Sequence, residues 1–321
     1  MWFYILRRLI WLPFLLLVVT FITFVMVRIV PGDPIVVMLG SRYDPEIAQN
    51  IRDQLGLHRP FLVQYLDYIW DAMRGDFGES FRFRGQSVSS LLISKMWVSL
   101  QVNLAALTAS VLIGLPLGFF IAHRQGSWQD PLVVSIGFIL GAIPIMVTIP
   151  AVLWIGCFKL YLLPCSGWCG LFDLRIIVPI ITLGIFGFAG IMRLMRSSTL
   201  DVLGQDYIRT AKAKGLSTFQ IDRRHVLKNA LIPVITVLSL SLDGILTTSF
   251  VAERILGIPG MGDFAIQAVF NRDYPVIMAT TIIGATAFGV ANLIAALAYG
   301  LIDPRIRYDS FLKGKVCFLS N

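Results

Sequence analysis

The chain has 321 residues, of which 56% are hydrophobic and only 14% charged, and its mean hydropathy is +0.77. That balance excludes an ordinary water-soluble domain, in which roughly 25% of residues are charged. The formal charge of +8 would fit nucleic acid in a soluble protein, but its position beside oily runs accounts for it as membrane orientation, and nucleic acid is not an expected partner.

A helix crossing about 30 Å of hydrocarbon needs about 20 apolar residues. Runs of that kind lie at residues 9–27, 96–122, 131–158, 176–192 and 274–302, and a sixth, 229–252, carries one acid, Asp243. Backbone groups in hydrocarbon must pair internally, and short alternating segments are absent. The predicted class is therefore an all-α polytopic membrane protein with six transmembrane helices. Two arginines, Arg7 and Arg8, precede the first run. That run is too long for a secretory signal and lacks a small-residue cleavage site, so residues 1–30 are expected to be a cytoplasmic N-terminus and a retained first helix.

Residues 31–95 follow as an extracytoplasmic segment whose seven bases are matched by eight acids. In it, Asp44 and Pro45 form a helix start, with Ile47, Ile51 and Leu55 along one face. A second amphipathic helix places Phe61, Tyr65, Tyr68 and Ile69 together, with Leu62, Leu66 and Met73 beside them, and ends at "RGDFG". Both are expected to cap the pore mouth, or simply to bury their apolar faces.

Residues 96–304 are expected to form a core of the five remaining transmembrane helices. Bases accumulate near Arg124, from Arg193 to Lys228 (eight of them), and in the tail 305–321 at Arg305, Arg307, Lys313 and Lys315. Both termini are accordingly expected in the cytoplasm. Cys165 and Cys169 flank "SGW" in an external loop, where an oxidising compartment could bridge them. No metal site is expected, because the C-x3-C pair lacks a second ligand pair and the three histidines are scattered. The stretch "ERILGIPGMGDF" places Gly257, Pro259, Gly260 and Gly262 in a tight turn near the outer opening, making them candidates for an outer gate or a docking contact. Asp243, an acid deep in a span, is read either as a translocation-path residue facing a substrate ammonium group or as a hydrogen-bonding partner for another helix or subunit.

The loop at about 196–232 contains helix formers from Gln205 to Gly215, with Tyr207, Ala211 and Lys214 spaced for one face and a glycine to end it. Charge alone would fit contact with anionic lipid. "DYIRTAKAKGLS" followed by "HVLKNALIPV" resembles the cytoplasmic signature loop of binding-protein-dependent ABC importer permeases, in the branch that handles dipeptides, oligopeptides and nickel. "VRIVPGDP", "LGL", "GDFGES", "GIPGMG", "RDYP" and "DPRIR" agree with that branch in order along nearly the whole chain. The positions that begin Glu-Ala-Ala in the broader signature are here Arg209, Thr210 and Ala211, as in the peptide branch.

The resemblance implies the type I ABC importer permease fold in a prokaryotic cytoplasmic membrane. It implies a coupling helix held in a cleft of a separate ATPase through Tyr207, Arg209, Thr210, Ala211, Lys212 and Gly215. It also implies a second homologous permease, two cytoplasmic ATPases that bind ATP and Mg, and an extracytoplasmic solute-binding protein. The chain itself has no P-loop and no hydrolase motif, so no cofactor and no catalytic activity are expected in it. The expected function is di- or oligopeptide import by alternating access, with nickel or another small solute as the alternative. An ion-coupled secondary transporter would call for paired midplane ionisable residues, and a membrane scaffold would need no coupling surface.

Overall fold

The structure is a computed structural model that describes residues 2–29, 34–39, 44–54, 56, 58–83, 85–241 and 249–302. Among them there is no strand, only one isolated bridge between Glu79 and Ser87. The helices are α1 (Trp2–Ile29), α2 (Pro34–Leu39), α3 (Pro45–Gln54), α4 (Phe61–Met73), α5 (Val88–Ala122), α6 (Gln129–Ala142) and α7 (Ile145–Leu153). They continue with α8 (Ile177–Leu203), α9 (Asp206–Ala213), α10 (Thr218–Ile221), α11 (Leu227–Leu240), α12 (Phe250–Leu256), α13 (Met261–Asn271) and α14 (Tyr274–Ile302).

Three helices, α1, α5 and α14, are each long and apolar enough to cross a membrane, and two bent pairs raise the number of candidate spans to five. The run at 131–158, expected as one span, is folded by 97° between α6 and the segment beginning at Ile145. Pro144 causes the turn. The residue before a proline avoids the helical region, and Ile143 is extended, with ψ of 122°. The run at 176–192 belongs to α8, which bends by 50° between Gly184 and Gly187. Of the sixth run, α11 covers residues up to Leu240, whereas Asp243 lies outside the described residues, as do Leu55 and the tail from 303.

The centre of the bundle is the pair α5 and α8, the most extensive helix contact in the chain. Lipid tails are as apolar as leucine, so helices in a bilayer gain by bringing small residues and backbones close together. Ala106, Ser110, Gly114 and Gly118 recur every fourth residue on α5, and all four are buried. A Cβ added at Gly118 would stand 2.4 Å from the Met192 carbonyl oxygen of α8. Ser110 donates across the same seam to the Gly184 carbonyl, at 3.0 Å. Around this pair, α6 and α11 lie on α8, α11 and α1 lie on α14, and α13 lies on α5. At one end of the seam Arg196 of α8 grips Asp130 of α6 with two hydrogen bonds of 2.6 Å.

The two amphipathic helices form as expected, and the Asp44 side chain accepts from the Glu46 amide at 2.9 Å. Their inner faces differ in detail. In α3 the packed residues are Ala48 and Ile51, against Ile35 and Leu39 of α2, whereas Ile47 is exposed. In α4 the stripe Tyr65, Tyr68 and Ile69 packs on Phe24 of α1 and Met278 of α14. The Tyr65 hydroxyl donates to the Leu17 carbonyl at 2.9 Å. So α4 buries its apolar face against α1 and α14.

Gly118→Ala is expected to destabilise the purified protein by about 1–3 kcal/mol, because the obstructing atom is backbone. Gly190→Ala, where no atom stands within 4 Å, is expected to be neutral or slightly stabilising. Thermal unfolding in detergent measures both.

Candidate functional site

The basic segment after α8 folds back on the bundle. Eight-residue helices are marginal in isolation, so α9 depends on what it packs against. Its inner face is Ile208, 1% exposed, and Ala211, 6% exposed. They join Ile221 and Val226, with Phe119 of α5 and Val202 and Leu203 of α8 against them. The expected face of Tyr207, Ala211 and Lys214 is corrected here: Tyr207 and Lys214 are exposed, and Ile208 takes the buried position. Burying one such aliphatic side chain is worth about 1.5–3 kcal/mol.

Arg209, Thr210 and Lys212 point away from the bundle. The Thr210 hydroxyl donates to the Asp206 carbonyl at 3.1 Å, and Asn229 of α11 donates to the Tyr207 hydroxyl at 3.3 Å. Gly215 takes a left-handed φ of +80° that a side chain would strain. The chain then re-enters through a capping box between Ser217 and Gln220. The π-helical turn Asp222–Val226 follows. His123, just past α5, meets the Phe119 carbonyl and Asp222 Oδ1, each at 3.0 Å. The segment is thus fixed to the ends of α5 and α8 by apolar packing and by the His123–Asp222 contact, with a basic face left outward.

Ser99 of α5 lies twenty residues before Phe119, a rise of about 30 Å and about the thickness of a bilayer's hydrocarbon. At that opposite end is a second constellation. Glu253 of α12 is fully buried. Its Oε1 accepts from the hydroxyls of Ser99 and Ser249, both at 2.6 Å, and its Oε2 accepts from the amides of Gly262 at 2.7 Å and Asp263 at 3.1 Å. Ser99 Oγ accepts from the Met261 amide at 2.8 Å, and Asn103 donates to Ser249 Oγ at 2.9 Å. Four donors saturate a carboxylate, which is what a buried charge requires. The carboxylate also caps the N-terminus of α13, where exposed amides favour an anion.

The glycine turn is shaped by this contact. A Cβ on Gly260 would stand 2.4 Å from Glu253 Oε2, and one on Gly262 would stand 2.6 Å from the Phe250 Cα. Gly257 ends α12 in a left-handed conformation, and Ile258 between it and Pro259 is buried. At the other end of α13, Asp273 is 2% exposed. It accepts from the Ser80 hydroxyl, from the Phe81 amide at 3.1 Å and from the Arg82 amide at 3.2 Å. The stretches "GDFGES" and "RDYP" therefore meet in space.

The expected Cys165–Cys169 bridge is absent. The Gly156 carbonyl accepts from the amides of Leu162 and Leu163, turning the chain back so that Cys165 lies against Cys157. Cys169 instead accepts from Arg175 at 2.8 Å, and all three thiols are free. Sequence reasoning missed Ile208, Ser99, Glu253 and Asp273. An acid flush against an apolar run, as Glu253 is, was the available signal for one of them.

The family described as binding-protein-dependent transport system inner membrane component matches residues 114–308, and its N-terminal counterpart matches residues 1–94. The chain belongs to this family. It is 38% identical over 297 residues to the oligopeptide transport system permease protein OppB of Haemophilus influenzae, covering 92% of this chain and 96% of that one. It is 37% identical over 292 residues to the dipeptide transport system permease protein DppB of Bacillus subtilis, covering 91% and 94%. An inward-facing structure of the MetNI methionine ABC transporter superposes with a TM-score of 0.51 at 18% identity, over 65% of this chain and 96% of that one, a likeness of fold. The chain is thus an inner-membrane component of a binding-protein-dependent transport system.

Ile208→Ala is expected to loosen α9 by at least about 2 kcal/mol. Amide exchange from Thr210 to Lys214 should then accelerate by about thirtyfold, while Arg209→Ala leaves it unchanged. Hydrogen exchange on the purified protein reads both.

Proposed function

We propose that this chain is one of two homologous, nonidentical permease subunits of an ATP-driven importer that carries di- or oligopeptides across the cytoplasmic membrane. The observation that carries the reading is the rooted α9, with Ile208 and Ala211 held in the bundle and Tyr207, Arg209, Thr210 and Lys212 turned outward. A short helix fixed on one side and open on the other is suited to receive a push from a separate protein. The names of the relatives support peptides as cargo.

In this reading two ATPase subunits bind ATP and Mg, and their closure moves α9 and Gly215. A solute-binding protein delivers cargo to the opposite surface, where Gly257, Pro259, Gly260 and Gly262 shape the outer gate. The chain crosses six times, counting α11 and the residues after it as one crossing, with both termini in the cytoplasm, as the basic segments favour. Asp243, outside the described residues, belongs by sequence to that fifth crossing, and its proposed role is to contact cargo in the pathway or to hydrogen-bond a neighbouring helix or partner subunit. Cavity affinity need only be weak, since tight binding would hold the cargo back.

The test is uptake of labelled peptide into vesicles holding both permeases and both ATPases. Uptake should require ATP inside the cytoplasmic compartment and binding protein on the other side, and a proton gradient without ATP should give none. Gradient-driven uptake by this chain alone would overturn the proposal.

A further inference from the structure

We propose that Glu253 is the positioning residue of the outer gate, tying the Gly257–Gly262 turn to α5 so that the turn and the coupling end of the protein move as one body. This inference rests on the reading of α9 as the coupling helix.

Three observations combine. At one end of α5, Phe119 and His123 support the α9 segment through Ile208, Ala211 and Asp222. About 30 Å away on the same helix, Ser99 and Asn103 hold Glu253 and Ser249, and Ser99 also receives the Met261 amide. Between these ends α5 lies against α8 through Gly114 and Gly118, where an added Cβ would stand 2.9 Å from the Phe188 carbonyl oxygen and 2.4 Å from the Met192 carbonyl oxygen, an approach of backbone on backbone. A push on α9 therefore reaches the outer turn through a helix braced along its length, with no loop intervening.

The outer attachment is itself redundant. Val88 and Leu92 of α5 share an apolar cluster with Phe264 and Ala268 of α13. Asp273 holds the far end of α13 to the segment at Ser80 to Arg82, which precedes α5. Apolar contacts tolerate sliding, whereas a saturated buried carboxylate does not, because each lost donor leaves a polar group unpaired away from water. Glu253 joins α12, α13 and α5 through a single group, and the Ser99 hydroxyl meets it from the α5 side while also taking the Met261 amide.

Two variants and one cross-link test this in the complete importer complex. Glu253→Ala removes every acceptor, while Glu253→Gln keeps an amide oxygen for Gly262 and Asp263 and turns its NH2 toward the two serines. In the alanine variant, hydrogen exchange at Met261, Gly262 and Asp263 should accelerate at least about tenfold, and peptide carried per ATP hydrolysed should fall at least about fivefold. The glutamine variant should recover part of both. A ratio per ATP is unmoved by a mere loss of folded complex.

In a background with the native cysteines replaced by serine, Leu92→Cys and Ala268→Cys cross-linked to each other should transport as before. Loss of uptake on cross-linking would overturn the one-body claim, as would an alanine variant with wild-type exchange and a wild-type ratio. If the alanine variant does not assemble, the glutamine variant and the cross-link still decide. Failure of the coupling reading would look different: the unaltered complex would show no ATP-linked uptake, while the exchange comparison would still report on the clamp.

Discussion

A lever transmits force only if it cannot yield at its root, and in the proposed role of α9 as a coupling helix that root is the burial of Ile208 and Ala211 between the ends of α5 and α8. Everything outward of that point is short and polar and would be unstructured alone. The exposed face of α9 leaves Arg209 and Lys212 free of the bundle's apolar packing. His123 adds a contact to Asp222 on the segment's return path, so that the entry to and exit from the outward helix are both held.

The opposite end is governed by the cost of burying charge. A carboxylate removed from water demands a full complement of donors. Asp273 obtains its donors from a segment about 190 residues away in sequence, whereas Glu253 takes two backbone amides from the neighbouring start of α13 and reaches a distant element only through the Ser99 hydroxyl. Asp273 thereby fixes the Ser80 to Arg82 segment, and Glu253 adds a polar tie to a turn whose Ile258 and Met261 are already buried. The glycines of "GIPGMG" make room for that contact as well as making a turn. Asp130 and Arg196 act likewise where α6 meets α8. Breaking such a pair on one side costs about 3–5 kcal/mol, more than any single apolar contact nearby.

The spans were legible because the length of an apolar run is a direct physical requirement of the bilayer. The direction of a span was not. Run length says nothing of the 97° fold at Ile143, although Pro144 marked where it would occur. Short amphipathic helices were found, but their inner faces were misjudged where a small or β-branched residue did the packing: Ala48 in place of Ile47, and Ile208 in place of Tyr207. Bulk was taken for burial. The clasp at Asp273 and the link from Glu253 to Ser99 were illegible for another reason, since the partners lie about 190 and 150 residues apart, a separation that no periodicity reports.

Site-directed cross-linking from Arg209→Cys and Lys212→Cys in the assembled importer tests the central claim most directly. The account predicts adducts between both positions and the ATPase subunit, with yields that change when nucleotide is trapped, and no labelling by an impermeant thiol reagent applied from the binding-protein side. Labelling from that side, or the absence of any adduct with the ATPase throughout turnover, would contradict it.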